Sequence, residues 1–487
     1  MVIQKIYKGR AFVGEEIWTF SACDVVDSLK TKNLNQLDVL EAIRLRCEKV
    51  NPLINALPTF CFERAIDCIK NGFNSKSHFC GPLFGLPIPI KDSYPVSGVR
   101  TTYGSLAYKN FIPKFSDFLV LKIEESGGVI YGKSNTPEFE AGASTFNNVF
   151  GITRNPWNTK KSVAGSSGGA AASVATGMAF IAQGSDFACS IRYPASFCGV
   201  VGLRPTPGLI PQGPNKLPYQ NLSVIGPLAR NVQDIGLALD AMVGYNYRDP
   251  LSSPQSKYGY RTAGSVPKKP KTVGFSPNLG GLAKISREVK NLISTAVKKI
   301  ESVGVEVRYE CPDMSNSEAA FRPLRAVQFA GMWSHLLKEK RELLKPEVIW
   351  NIEQGLDVSS MDIADAEDKR KGIRGNLLDY LERNEFLVLP ASPVIANSAK
   401  ERYVTEIDEF KMKDYLEWLF LGFSLTLTGC PIIVIPCGSS KNNLPVGIQI
   451  VGKPHAEREL LRLGSWLECL FEQGIKRPID PDPFNDT

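Results

Sequence analysis

Serine hydroxyls in one glycine-rich segment, in the first half of the chain, could carry nucleophilic chemistry. The GSSGG sequence at residues 165–169 satisfies the GxSxG pattern around Ser167, and His335 or His455 downstream could act as the base. That pattern requires a strand directly before it, whereas residues 155–161 contain a proline and two lysines and are a poor central strand. No GK[ST] follows the glycines, which disfavours a phosphate-binding loop. The GxSxG interpretation stays the weaker alternative.

A second arrangement places one lysine and two serines in three separated segments. The segments are GLPIPIKD at residues 85–92, AGSSGG at residues 164–169 and GSDFACSIRYPA at residues 184–195. Lys91 precedes Ser166 by 75 residues, and Ser166 precedes Ser190 by 24 residues. Their order and spacing resemble those of the amidase signature family. Further segments that resemble the family are SNTPEF at 134–139, FGITRNPW at 150–157, FCGVVGLRPTPG at 197–208, LTGCPIIVIPCG at 427–438 and PVGIQIVG at 445–452.

The resemblance implies a catalytic triad of Lys91, Ser166 and Ser190. Ser190 would be the nucleophile that forms an acyl-enzyme, Ser166 would bridge on a cis peptide bond, and Lys91 would be the base. A serine hydroxyl is a poor nucleophile until a base removes its proton, and an ammonium group cannot accept one. Lys91 must therefore be held neutral by desolvation, which the apolar run at residues 86–90 favours.

The loop before the nucleophile departs from the family pattern. The resemblance implies an oxyanion hole built from the backbone amides of Phe187, Ala188, Cys189 and Ser190, where the family usually has Gly-Gly before the serine. A β-carbon is costly at a position that needs positive φ. We expect negative φ at Ala188 and Cys189, which leaves the hole intact. A thiol beside the nucleophile also predicts inhibition by bulky thiol reagents.

Other residues of these motifs are expected to support the site. Asp186 and Arg192 should form a structural pair that braces the loop, as the resemblance also implies. Ser167 should give structural support, and the alternative for Ser166 and Ser167 is a pair that caps a helix. We expect Glu140 and Ser166 to contact the substrate.

The predicted function is hydrolysis of a carboxamide or an aryl or alkyl amide to a carboxylate plus ammonia or amine. No cofactor is implied. One alternative within the family is the amidotransferase subunit that makes glutaminyl-tRNA, but that subunit usually carries an MDEFAMG-like stretch where this chain has TPEFEAG at residues 136–142. Another alternative is a scaffold protein whose oxyanion hole is spoiled at Ala188 and Cys189.

Composition argues against several other classes. The formal charge of +7 is spread along the chain, so a nucleic-acid partner gains no support, and the run at residues 268–271 is expected to be a solvated linker. Eleven cysteines without a CxxC pair favour reduced cytosol. Residues 1–18 lack the apolar region of a signal peptide, and no stretch is apolar enough to span a bilayer. The expected binding partner is a small-molecule amide substrate, and assembly into a homodimer is left as an open alternative.

The three histidines give no sign of a metal site. His78, His335 and His455 are too far apart in sequence to form an HExxH or HxxxH pair. Each is expected to be an ordinary surface or core residue.

The elements that must position these residues alternate between helix and strand. Apolar spacing predicts an amphipathic helix over residues 35–50, a helix at 118–123 before a strand at 129–131, and a strand at 272–275. The prolines of residues 81–90 indicate an edge strand or extended loop before Lys91. Residues 184–192 are predicted as a polar turn.

We therefore predict one α/β domain over residues 1–487, with a large mixed, mostly parallel sheet covered by helices on both faces. Residues 18–245 should form the half that carries the lysine and serine motifs. A polar linker at 246–270 should precede a second α/β part at 271–475, with a more variable helical segment at about 310–385.

Overall fold

Helices and strands alternate through the part of the chain that the structure describes. The computed structural model describes residues 14–72, 81–254, 259–472 and 478–481. The expectations for His78 and for residues 1–13 concern residues outside these ranges. The α-helices are α1 (Ala22–Lys30), α2 (Gln36–Ile54), α3 (Phe62–Lys70), α4 (Phe118–Glu125), α5 (Gly168–Ala175), α6 (Arg192–Cys198), α7 (Val232–Met242), α8 (Tyr260–Gly264), α9 (Arg287–Ser302), α10 (Ser317–Glu339), α11 (Pro346–Leu356), α12 (Ser360–Arg383), α13 (Phe420–Leu427) and α14 (Glu457–Leu470). The strands are β1 (Thr59–Phe60), β2 (Pro87–Lys91), β3 (Val129–Ser134), β4 (Phe146–Asn147), β5 (Gly151–Ile152), β6 (Arg154–Asn155), β7 (Asn158–Ser162), β8 (Ile181–Asp186), β9 (Val201–Arg204), β10 (Val224–Ala229), β11 (Thr272–Phe275), β12 (Glu306–Arg308), β13 (Phe386–Pro390), β14 (Glu406–Ile407), β15 (Phe410–Lys411), β16 (Ile432–Ser439) and β17 (Pro445–Val451).

An eight-stranded mixed sheet forms the centre of the α/β domain, as predicted. Its strand order is β12-β11-β13-β17-β16-β9-β10-β8. The expectation of mostly parallel pairing needs correction, because β11 is parallel to β12 and β13 while the other neighbours are antiparallel. The reason lies in the connections: the turn at residues 440–444 joins β16 to β17 directly, and only antiparallel neighbours accept so short a connection.

Helices cover both faces of this sheet. On one face, Gly464 of α14 packs against the side chains of Ile433 and Ile435. On the other face, Arg192 of α6 donates a hydrogen bond to the side chain of Gln449 at 3.3 Å. Gln449 pairs with Val434, which lies between the two isoleucines in β16 and so points to the opposite face.

A small three-stranded sheet, in the order β1-β3-β2, carries Lys91. Strand β2 is at its edge, as the prolines predict, and is parallel to β3. The strand is nevertheless buried along its whole length. The backbone amide of Lys91 donates to the side chain of Gln183 at 3.0 Å, which ties the end of β2 to β8 of the large sheet.

Most predicted local elements are present. Helix α2 begins after Asn35, whose side chain accepts the amide hydrogen of Leu37, and Ser286 caps α9 in the same way. The strand at Thr272–Phe275 is as predicted. The polar turn expected at 184–192 is wrong at its start, because residues 184–186 belong to β8, where pairing with β10 satisfies their backbone groups.

The polar stretch at residues 246–270 contains helix α8, which is anchored to α7. Asp240 accepts hydrogen bonds from the backbone amides of Tyr260 and Arg261 at 2.9 and 3.1 Å. Helices α10, α11 and α12 occupy most of the segment at 310–385. The boundaries proposed between the two halves of the domain stay a prediction. No helix in the described ranges is both long and apolar enough to cross a membrane.

Candidate active site

Lys91 lies at the end of β2, fully buried, with three oxygen atoms around its amino group. Its Nζ is 2.7 Å from Oγ of Ser166, 2.8 Å from Oγ of Ser185 and 2.9 Å from Oε1 of Glu140. Ser185 also donates to Glu140 at 2.8 Å. The structure thus brings together two residues of the predicted triad and adds a carboxylate and a third serine.

Burial decides the protonation of this group. Desolvation lowers the pKa of Lys91 below its ordinary value, although the negative charge of Glu140 acts in the opposite direction. Burial alone would raise the pKa of Glu140, but the adjacent Lys91 and hydrogen-bond donors bring it below its ordinary value. A lowered lysine pKa increases the neutral fraction, which is the form that can accept a proton.

Ser166 and Ser167 precede helix α5 in a tightly packed loop. The peptide bond between Gly165 and Ser166 is cis, and both serines are completely buried. A β-carbon on Gly165 would lie 2.9 Å from the backbone nitrogen of Ser144, so only glycine fits this approach. The hydroxyl of Ser167 bonds the backbone amide and carbonyl of Ser185, at 3.2 Å each. This contact holds the loop against β8.

Ser190 lies in the loop that connects β8 to α6. Its carbonyl oxygen accepts a hydrogen bond from the amide of Ser167 at 3.1 Å, and the residue lines a cavity of about 40 Å³. Within the described residues, the hydroxyls of Ser166 and Ser190 are not hydrogen bonded to each other. The bridging role of Ser166 therefore rests on the placement of the two loops, because catalytic hydrogen bonds are often long before substrate binds.

The four residues of the loop at 187–190 line the same cavity. No hydrogen bond from the amide groups of these four residues is found in the part of the chain that the structure describes. Neither Ala188 nor Cys189 is among the described residues with positive φ, so the β-carbons impose no backbone strain. These amides therefore have no competing acceptor among the described residues. Their predicted role as an oxyanion hole stays a prediction.

The environment of Cys189 argues against the expected inhibition by bulky thiol reagents. Cys189 is completely buried, and burial raises the pKa of its thiol well above the ordinary value. Because the thiolate is the reactive form, this cysteine should be inert.

Asp186 and Arg192 form the buried pair that the motif predicts. Arg192 donates to the two carboxylate oxygens of Asp186 at 2.9 and 3.0 Å, and to the carbonyl oxygens of Ala188 at 2.6 Å and Gly422 at 2.9 Å. Burial would raise the pKa of Asp186, but the charges of Arg192 and Arg204 lower it below the ordinary value. The aspartate is therefore ionised and holds the arginine that supports the loop.

Sequence reasoning missed two residues of β8 that contact Lys91. Gln183 binds its backbone and Ser185 its amino group. They are two positions apart on one strand, so recognising residues 181–186 as a strand would have placed both on the face toward Lys91. His335 and His455 both have exposed side chains, and neither is among the residues that line the cavity of Ser190.

The fold and this site define a class of protein. Residues 38–461 match the family model described as Amidase, so the chain belongs to the Amidase family. The chain is thus a hydrolase of amide carbon–nitrogen bonds.

Similarity to particular relatives extends over nearly the whole chain. The chain is 30% identical to an acylamidase from Rhodococcus erythropolis over 94% of this chain and 97% of the relative. It is 31% identical to a glutamyl-tRNA(Gln) amidotransferase subunit from Moorella thermoacetica, over 95% and 99% respectively. The structure of 6-aminohexanoate cyclic dimer hydrolase complexed with substrate matches with a TM-score of 0.84 and 26% identity, over 95% of this chain and 99% of that chain.

Proposed function

We propose that the protein hydrolyses small amides through an acyl-enzyme on Ser190, with Ser166 and Lys91 as proton carriers. The observation that supports this most directly is the buried Lys91, with Nζ 2.7 Å from Oγ of Ser166. Desolvation makes a buried ammonium unfavourable and outweighs the attraction of Glu140, so the position lowers the pKa of Lys91 and favours the neutral amine.

The reaction follows from these positions. Lys91 takes the proton of Ser166 as Ser166 takes the proton of Ser190, and Ser190 Oγ attacks the amide carbon. The backbone amides of residues 187–190 stabilise the oxyanion that develops. The proton returns through Ser166 to the leaving nitrogen, the carbon–nitrogen bond breaks, and an ester remains on Ser190. Water then attacks the ester by the same proton route and releases the carboxylate.

A second cavity supports an amide with an aryl or alkyl part. It measures about 240 Å³ and shares Phe139, Glu140, Phe187 and Phe329 with the cavity that contains Ser190. In the same wall, the ring centroid of Trp333 lies 4.1 Å from that of Phe139, with the two rings tilted by 33°. Aromatic walls favour an apolar substrate group by desolvation.

Replacement of Ser190 tests the mechanism. Ser190→Ala should lose labelling by a fluorophosphonate probe and should hydrolyse amides at least ~10⁴-fold more slowly, because the bond-forming oxygen is gone. His335→Ala and His455→Ala are controls that should keep activity. More than ~1% residual activity in Ser190→Ala would remove the assignment. Absence of labelling in well-folded wild-type protein would favour the scaffold alternative.

A role in an amidotransferase is the second candidate, because this chain is about as similar to that relative as to the acylamidase. The carboxylate of Glu140, at 2.9 Å from Lys91, lies in the stretch where this chain departs from the pattern usual for the amidotransferase protein. Purified protein should therefore hydrolyse simple amides without a second protein. The amidotransferase role would be favoured instead if glutamine were the sole amide hydrolysed and if its hydrolysis required a partner protein.

A further inference from the structure

A buried arginine with no acidic partner among the described residues lies beside Ser190. Arg325 of α10 is 4% exposed and lines the cavity that contains Ser190. Its guanidinium carbon lies 5.1 Å from the ring centroid of Phe187 and 4.6 Å from that of Phe329. The two rings contribute a weak attraction but no hydrogen-bond acceptor.

The hydrogen-bonding groups of Arg325 are largely unused. Its Nη2 donates to the hydroxyl of Tyr415 at 3.1 Å. Its Nε is buried without an acceptor, and no hydrogen bond from Nη1 is found within the described ranges. No carboxylate of the described residues lies within ion-pair distance of it. A buried guanidinium carries five donors and a permanent charge, so leaving it unpaired is unfavourable unless a ligand completes the site.

The surrounding charges reinforce this interpretation. Lys345 is a second buried lysine behind Gly142, a residue that lines the same cavity, and its Nζ donates a hydrogen bond to the carbonyl oxygen of Ala141 at 2.7 Å. Burial lowers the pKa of Lys345 to about 8. Glu140 is the acidic residue of that wall, and Lys91 and Ser185 already hold its Oε1.

We propose that Arg325 binds a carboxylate carried by the amide substrate. The substrate class is then a monoamide of a dicarboxylic acid or an N-acyl amino acid, rather than a neutral amide. The guanidinium fork suits a carboxylate because two parallel N–H groups can meet its two oxygens. This inference rests on the proposed function for its reaction, and it adds the anionic group that the substrate must carry.

Matched substrates test the proposal and show whether the carboxylate belongs to the acyl part or to the amine part of the substrate. In the acyl arm, succinamate and glutaramate are compared with 4-methylpentanamide and 5-methylhexanamide, in which an isopropyl group replaces the carboxylate. In the amine arm, N-acetylglycine is compared with N-isobutylacetamide. Wild-type kcat/KM should favour the anionic member of one arm by ~10-fold or more, the range of a charge-assisted hydrogen bond. Equal rates for both members in both arms would overturn the proposal.

Variants on helix α10 assign the preference to this residue. Arg325→Met should abolish the preference, measured as the ratio of kcat/KM for the anionic amide to kcat/KM for its neutral partner, and Arg325→Lys should restore part of that ratio. Arg322→Met is the matched control, since Arg322 is one turn away but is paired with Asp414 at 2.7 Å. An unchanged anionic preference in folded Arg325→Met, or its loss in Arg322→Met, would contradict the assignment.

A binding measurement separates this inference from the proposed function. The Ser190→Ala protein should bind succinamate or N-acetylglycine in a calorimetric titration, and Ser190→Ala/Arg325→Met should bind at least ~10-fold more weakly. Binding through Arg325 without wild-type turnover would refute the amidase mechanism and support the subsite. Turnover of neutral amides without anion binding would support the mechanism and refute the subsite.

Discussion

Two opposing effects set the pKa of Lys91: burial and the carboxylate of Glu140. Desolvation lowers its pKa, and Glu140, at 2.9 Å, raises it again. The groups that face the amino group are Ser166, Ser185 and Glu140, with the charge of Asp186 farther away. In the proposed mechanism neutral Lys91 is the active form, so kcat/KM should rise as the pH passes upward through its pKa.

Glu140→Gln should move that rise to lower pH. The change removes a negative charge that favours the ammonium form, so the pKa of Lys91 falls, and the acid limb of kcat/KM should shift down by ~1 unit or more. A pH profile of kcat/KM measures the shift. The exposed Glu367→Gln is the control and should leave the limb in place. A shift to higher pH would show that Glu140 does not act through Lys91.

At the scale of the elements, the loop between β8 and α6 is shaped by the helix packed behind it. Gly422 of α13 packs closely against this loop. A β-carbon added to Gly422 would lie 2.5 Å from the carbonyl oxygen of Ala188 and 2.7 Å from the β-carbon of Cys189. Two short side chains and one glycine therefore set the position of the backbone amides.

The double variant Ala188→Gly/Cys189→Gly should not raise kcat. Neither position has positive φ, so glycine relieves no strain. Added unfolded-state entropy should cost ~0.4–1 kcal/mol at each position, and loss of the buried Cys189 side chain adds to this. Urea unfolding and steady-state kinetics measure both effects. A gain of ~10²-fold in kcat would mean that an oxyanion donor is misplaced in the native loop.

Gly422→Ala should displace the loop. The new methyl group has no space beside Ala188, so we expect a loss of ~1–3 kcal/mol in stability and a fall in kcat. Gly372→Ala on α12 is the matched helical control, because no atom lies within 4 Å of its added β-carbon. That control should keep kcat and should be as stable or up to ~1 kcal/mol more stable. Normal kcat in Gly422→Ala would show that the loop tolerates the displacement.

At the scale of the whole molecule, one arginine joins segments far apart in the sequence. Arg192 contacts the carboxylate of Asp186, the carbonyl of Gly422 and the side chains of Thr426 and Gln449. These contacts connect β8, α13 and β17 around the nucleophile loop. The pair is buried completely, so each partner depends on the other for compensation of its charge.

Asp186→Asn should lower the free energy of unfolding by ~3–5 kcal/mol, because it leaves Arg192 buried without a full counter-charge. Denaturant unfolding followed by circular dichroism measures the loss. Glu382→Gln breaks the exposed pair with Lys453 and should change stability by no more than ~1 kcal/mol. Equal effects of the two substitutions would mean that the buried pair is no more important than a surface one.

The motifs were sufficient to predict the family, the α/β class and several elements. The helix predicted from residue 35 is present and begins after Asn35, since a capping side chain acts on an amide two or three residues away. Strand direction was harder to predict. Buried strands such as Ile432–Ser439 are apolar on both faces, and this pattern occurs in parallel strands as well as in antiparallel strands covered by helices.

The sequence by itself determined which residues we propose to carry the chemistry, through the order and spacing of Lys91, Ser166 and Ser190 within their motifs. The tertiary structure alone decided that Glu140 and Ser185 contact Lys91, and that Arg325 lies beside Ser190 with no carboxylate of the described residues as its partner. The reason is physical. A motif reflects the backbone conformation of its own segment. Contacts between segments dozens of residues apart depend instead on how β2, β8 and α10 pack. The balance of burial and charge that sets a pKa or a ligand preference exists only in that packing.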